Sequence, residues 1–300
     1  MEIKLLAMDL DGTLLTTANC VPSANAFAVQ QARRMGVTIA ICTGRAQCEA
    51  EFAAVQVGGC DYIITCNGSM LFDNINRHYL SFNIIPYSLV DQVLAILDSY
   101  DVFYQVYVDD AVCCPAKHFD DFAKAPMAQA YIDMFHDSQI PLEDPRRDIP
   151  AKGLDVTKFY IPNWDTRLLA DIRRRIQKIP DLEVTASSDY SVEIFQAGMD
   201  KITALRKLVD HLGITFDNVM MIGDSENDYQ AVRAAKYGVA MDNSPDFLKN
   251  AARFVSLSHD DCGVAYAIDK LILTPAKAAQ LPPDAPEPPM DGASRPRRFQ

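Results

Sequence analysis

Residues 3–13 read IKLLAMDLDGT. Positions 3–8 are apolar except for Lys4, as expected of a short strand covered on both faces of a parallel sheet. The strand runs straight into Asp9 and Asp11. In extended backbone, residues two apart point to the same side, so both carboxylates face one space, and Gly12 permits a sharp exit. Two such charges about 4 Å apart repel by ~4 kcal/mol at an effective dielectric of about 20. A bound cation, or a proton shared for acid–base chemistry, would justify the pair. A solvated turn carrying two acids is the plainer alternative, but it leaves unexplained why an apolar strand leads into them.

Outward from this stretch, strands and helices alternate. Residues 24–35 have a helical pattern, 37–42 (VTIAIC) form a second strand, 46–56 a second helix and 62–66 (YIITC) a third strand. Such alternation indicates βαβ units and a parallel sheet. Asn67-Gly68 is a turn signal, and the alternating segments over 69–80 suggest a hairpin. The alternation then lapses. A helix over 86–99, a strand over 103–108, a polar, proline-bearing stretch over 115–153 with helical pieces, a strand over 155–161, a helix over 166–178 and strands over 182–187 and 190–195 suggest an α+β insert. The first pattern returns with a helix over 201–212, a strand over 219–223 (VMMIG), a helix over 226–235 and short strands over 237–241 and 253–256. The expected organisation is a Rossmann-like α/β core in two parts, 1–82 and 190–273, around an α+β cap at 83–189. Residues 275–300 hold seven prolines in 26 positions and few large apolar groups, so 274–300 is expected to be a disordered tail.

Three further segments place reactive residues just after apolar strands or at a helix start. Ligands bind outside the carboxyl ends of strands in open α/β sheets. Cys42-Thr43-Gly44-Arg45 offers the Thr43 hydroxyl and backbone N–H groups to an anion; Thr43 as a helix cap and Arg45 as a surface cation are the plainer readings. Lys201 opens a helix, where a cation is unfavourable by ~0.3–1 kcal/mol unless an anion sits beside it; a surface pair with Asp200 is the alternative. Gly223-Asp224-Ser225-Glu226-Asn227-Asp228 groups carboxylates at another helix start, where N-capping competes with a metal role. With Asp9 and Asp11, Asp224 and Asp228 make a pool suited to a hard divalent ion, and Mg²⁺ is the one that binds through a few carboxylates plus substrate phosphate.

The composition is that of a globular protein, with 49% hydrophobic and 23% charged residues, and its net charge of −12 argues against nucleic acid or an anionic membrane as partner. No apolar run approaches the ~18–20 residues a membrane span needs, and no signal peptide opens the chain, which points to the cytoplasm. The eight cysteines form no C-x-x-C pair and read as free thiols.

DLDGT, CTGR, Lys201 and GDSEND, in this order, resemble the four motifs of the haloacid dehalogenase superfamily, and more narrowly those of the Cof-type (subclass IIB) phosphatases. The segments VEIFQAGMDK and GVAMDN add to the resemblance; Ile202 and Asp242 stand where glycine is common. The resemblance implies a Mg²⁺-dependent phosphatase. Asp9 would attack phosphorus and carry an aspartyl phosphate, and Asp11 would serve as general acid and then base. Thr43, Gly44, Lys201 and Asn227 would hold the phosphoryl oxygens. Asp9, the backbone carbonyl of Asp11 and Asp224 would bind Mg²⁺, with Asp228 orienting that shell or binding directly. The implied substrates are small phosphorylated metabolites of the sugar phosphate, pyridoxal phosphate or flavin mononucleotide class, handled by a monomer or weak homo-oligomer. A phosphomutase or phosphotransferase using the same aspartyl phosphate is the nearest rival. A signalling module that merely carries aspartyl phosphate needs about half this length. Cap loops within 83–188 would select the substrate; Tyr104, Tyr107, Asp109 and Asp110 lie around a cap strand, where core packing or a solvated turn is the plainer reading.

Overall fold

A computed structural model describes residues 2–108, 111–121, 129, 132, 133, 136 and 139–275. The chain begins with β1 (Leu5–Met8), α1 (Ser23–Arg34), β2 (Thr38–Cys42), α2 (Gln47–Gln56) and β3 (Tyr62–Thr65), followed by the hairpin of β4 (Met70–Asp73) and β5 (His78–Phe82). The middle of the chain forms α3 (Tyr87–Asp98), β6 (Gln105–Val108), β7 (Ala111–Pro115), β8 (Gln139–Leu142), α4 (Pro145–Ala151), β9 (Val156–Pro162), α5 (Thr166–Ile176), β10 (Leu182–Thr185) and β11 (Ser191–Gln196). The last part holds α6 (Lys201–His211), β12 (Val219–Gly223), α7 (Tyr229–Ala234), β13 (Tyr237–Ala240), α8 (Asp246–Ala251), β14 (Phe254–Val255) and α9 (Gly263–Ile268).

The first and last parts build one sheet in the order β14-β13-β12-β1-β2-β3-β4-β5. It is parallel from β14 to β3, with β4 and β5 added antiparallel. Alternate side chains sort to opposite faces. Leu6, Met8, Ile39, Ile41 and Ile63 pack with α1, α2 and α9, whereas Leu5, Ala7, Ala40, Cys42 and Ile64 pack with α6 and α7. Both faces are therefore covered, which is why LLAM reads as a continuous apolar run. β1 lies between β12 and β2, so the polar residues that follow these three strands emerge side by side at one edge.

The middle part forms a second sheet, β10-β11-β9-β6-β7-β8, antiparallel except where β7 meets β8. One face packs Val106, Val108, Phe159, Ile161, Val192 and Ile194 against α3 and α5. The other face turns Tyr107, Lys158 and Glu193 toward the core sheet, where Tyr107 and Val112 meet Ala46, Cys66 and Met70.

The α/β core with an inserted α+β cap agrees with the sequence reading, and three particulars differ. β11 pairs with β9 and β10, so the cap extends to Gln196 and the core does not resume at residue 190. An alternating strand carries the same pattern in either sheet; only its partners decide. β7 and β8 fall outside the expected elements, and β8 holds Pro141, which fits its place at the sheet edge. Helices α8 and α9 also lacked a sequence signal. The expected tail beyond Pro275, together with Asp109 and Asp110, lies outside the described residues. All eight cysteines lie outside any disulfide. Among the described residues, no helix is long and apolar enough to cross a membrane.

Candidate active site

Asp9 leaves β1 in extended conformation, its backbone N–H bonded to the carbonyl of Ile222 on β12 (3.0 Å). The chain then closes a π-turn over Leu10–Leu14, made possible by Gly12 at φ +66. A Cβ on Gly12 would lie 2.3 Å from Oδ2 of Asp224, so glycine is needed here for close approach as well as for its backbone. Oδ1 of Asp224 accepts from the Thr13 hydroxyl (3.1 Å).

Lys201 is buried at the first position of α6 and ignores Asp200, which instead caps the helix through the N–H of Thr203. Its Nζ lies 2.9 Å from Oδ1 of Asp9 and 2.7 Å from Oδ1 of Asp228. The surface pairing is thereby excluded. The other oxygen of Asp228 accepts from the backbone N–H groups of Asp224 and Ser225 (3.0 and 3.2 Å), so Asp228 both stabilises its turn and orients Lys201.

Asp9, Asp224 and Asp228 bring one oxygen each within 4.8 Å of one another, against the single ammonium of Lys201. Burial and the Asp228 charge push Asp9 up to about 7. Burial, Asp9 and Asp228 also push Asp224 well above the carboxylate range. Burial would lower Lys201, but Asp228 and Asp9 override it and hold the amine charged. The cluster has more negative charge than its lysine can match, and its donors are all hard carboxylate oxygens. That donor set fits a hard divalent cation.

Asp11 faces the same space but not the same partner. Arg45 grips it with two N–H donors, Nε at 2.8 Å, and also donates to Oδ1 of Asn19 (2.7 Å). Enclosure would raise Asp11; the Arg45 guanidinium outweighs that and holds the carboxyl below its ordinary range. Arg45 is only 4% exposed, which overturns its reading as a surface cation. No local signal could have found it, because its partner lies 34 residues away. Thr43 is fully buried at the end of β2; its hydroxyl accepts from the N–H of Arg45 (3.2 Å), while α2 starts after Ala46, so Thr43 is not the helix cap.

Asp9, Asp11, Gly44 and Asn227 line a chamber of about 420 Å³ between core and cap, and Lys201, Asp224 and Asp228 stand behind its floor. The cap supplies Tyr107, Lys158, Tyr160, Trp164, Ser187 and Glu193 as roof. Of these, only Tyr107 was weighed from sequence; Tyr104 is buried in the cap's own core. Asn243 donates to the carbonyl of Gly12 (2.9 Å) and so braces the π-turn. Asp242 and Ile202, the two departures from the family pattern, lie off this floor; Asp242 pairs with Lys249 (3.5 Å).

A sequence profile for haloacid dehalogenase-like hydrolases matches residues 6–268. The chain is 30% identical over 293 residues to a 5-amino-6-(5-phospho-D-ribitylamino)uracil phosphatase of Bacillus subtilis, covering 90% of this chain and 98% of that one. It is 28% identical to a pyridoxal phosphate phosphatase of Escherichia coli, covering 85% and 93% of the two chains. A solved haloacid dehalogenase-like hydrolase from B. subtilis superposes with a TM-score of 0.82 at 25% identity, covering 90% of this chain and all of the other. The chain belongs to the haloacid dehalogenase-like hydrolases. It is an enzyme of that class, with an α+β cap inserted between the two parts of its core.

Proposed function

We propose that the chain hydrolyses phosphoric monoesters of small metabolites through an aspartyl phosphate on Asp9, with Mg²⁺ as cofactor. The observation that carries the reading is the cluster at and behind the chamber floor: the Asp9 carboxylate beside a buried ammonium and two further carboxylates. Asp9, the carbonyl of Asp11 and Asp224 would hold the cation, with Asp228 behind them. When bound, Mg²⁺ supplies positive charge that offsets the acids and the phosphoryl oxygens.

The residues of the chain do the rest. An oxygen of Asp9 forms a bond to phosphorus as the ester P–O bond breaks, and the departing alcohol takes a proton from Asp11. Water then attacks phosphorus, gives its proton to Asp11 and frees Asp9 with release of orthophosphate. Lys201, Thr43, Gly44 and Asn227 orient the phosphoryl oxygens, and Lys201 spreads their charge. The Arg45 clamp keeps Asp11 ionised and ready as a base; as an acid it must carry a proton and turn away from Arg45. The aromatic and hydroxyl roof suits the sugar phosphate, pyridoxal phosphate or flavin mononucleotide class, in keeping with the relatives' activities.

Hydrolysis of p-nitrophenyl phosphate should require Mg²⁺ and vanish in Asp9→Asn. Undiminished turnover in excess chelator, or in that variant, would overturn the assignment. A panel of phosphorylated metabolites would then name the substrate.

A further inference from the structure

Two cap residues not assigned any role in the reaction reach deep into the core. Lys158 on β9 and Glu193 on β11 are 2% and 1% exposed, and their side chains meet at 2.7 Å. Lys158 also donates to the carbonyl of Gly44, while Oε2 of Glu193 accepts from Nδ2 of Asn67 at 2.6 Å. A Cβ on Gly44 would lie 2.8, 3.1 and 3.3 Å from Asn67, Glu193 and Lys158, so glycine makes room for all three. Oδ1 of Asn67 accepts in turn from Nδ2 of Asn227 (3.1 Å).

We infer that Glu193 and Lys158 are positioning residues by which the cap sets the phosphate cradle of the core. The inference rests on the phosphatase reading and extends it from the core to the cap. A carboxylate can only accept, so Glu193 compels Asn67 to present its NH₂ group. The carbonyl end of Asn67 must then face Asn227, which compels Asn227 to present its own NH₂. One of its two N–H groups is used on Asn67; the other is left for a phosphoryl oxygen. A single cap carboxylate thus fixes two amide orientations in series. Lys158 holds the Gly44 peptide from the same cap sheet. A buried ion pair is weak support for stability, because desolvation offsets its attraction, and replacement by apolar residues is often neutral. Orientation is the use that this network accounts for.

The test is the paired apolar replacement Lys158→Met with Glu193→Leu, which leaves no unpaired buried charge. Three quantities are read: the thermal melt, kcat and KM for p-nitrophenyl phosphate with Mg²⁺, and the rise in melting temperature on adding orthophosphate with Mg²⁺. The expected result is a melt close to wild type, kcat lower by about 10- to 100-fold with a smaller change in KM, and loss of the orthophosphate shift. Glu193→Gln, whose amide can donate or accept, should fall between the two, and a wild-type rate there counts against the inference. If the double variant melts like wild type and keeps its kcat and orthophosphate shift, the pair is mere packing and the inference fails. If the double variant melts far below wild type, Glu193→Gln decides between the same two outcomes. A wild-type chain that shows neither hydrolysis nor the shift overturns the phosphatase reading itself, and this inference with it.

Discussion

Asp9 stands in a place that is poor for folding and good for chemistry. Its carboxyl is pushed up to about 7 from an ordinary value of 3.8, mainly by burial and then by Asp228. Below pH 3.8 the folded and unfolded chains both hold the proton, and nothing is lost. Between about 4 and 7 the unfolded chain sheds it first, so this group's contribution to stability falls across that window. Asp9→Asn should therefore melt a few degrees above wild type at pH 8 in chelator, match it at pH 4, and be inactive at both. Asp11 makes a different prediction. Nitrophenolate leaves without a proton, whereas the hydrolytic water needs a base, and such assistance is worth ~10²–10⁴ in rate. Asp11→Asn should release about one equivalent of nitrophenol in a burst and accumulate phosphorylated protein, seen as intact mass. An alkyl phosphate should give no burst. Turnover of p-nitrophenyl phosphate at the wild-type steady rate would show that Asp11 is not the base.

The π-turn after β1 is the element on which the site depends most. Gly12→Ala would drive a methyl group into the Asp224 carboxylate and strain a left-handed backbone. Since a misplacement of about 1 Å can cost ~10²-fold in rate, kcat/KM should fall by about that factor, with a far smaller relative change in cooperative melting. Equal kcat/KM in that variant would show that the turn tolerates displacement. This element was legible in the sequence because its signal is local, an apolar strand, two acids and a glycine, although Asp224 and Asn243 complete it from across the fold. The same holds for the ends of β2 and β12. Arg45, Lys158 and Glu193 were not legible as site residues, because each finds its partner across the fold. Burial of a charge is decided by packing that no window of sequence contains. The β11 boundary failed for the same reason, and β8 was hidden in a stretch whose prolines and polar residues mimic loop.

Among the described residues, an exposed ion pair joins cap to core, and a buried ion pair within the cap reaches the core through hydrogen bonds to Gly44 and Asn67; magnitude separates the two. Arg173 on α5 pairs with Glu226 at 2.8 Å, but the two side chains are 30% and 46% exposed. Pairs of that kind contribute about 0–1 kcal/mol and weaken with salt. The Lys158–Glu193 bridge is buried and salt cannot reach it. Arg173→Ala should change the melt by less than about 1 kcal/mol and leave kcat within about twofold of wild type. A tenfold loss in kcat would mean that the exposed bridge, too, sets the site. Cap docking also buries Tyr107 and Val112 against Ala46, Cys66 and Met70, so the two layers share apolar contact as well as charge.

The insertion of the cap between the two parts of the core favours an order of assembly. β1 pairs with β12 at Leu5 and Val219, across the whole inserted segment, and closing so long a loop is entropically costly and slow. The cap is one contiguous run whose sheet and helices use no core strand. Once folded, it brings the chain at Phe82 and the chain at Gln196 into one body and shortens the loop the core must close. Trp164, the chain's single tryptophan, lies on the cap against Tyr190, so its emission reports that half of the molecule. After dilution from denaturant, its signal should recover before the far-ultraviolet signal of the whole chain is complete. On the ribosome, the strand that leads into Asp9 is made before the cap and before β12, and it waits for both to gain its second neighbour.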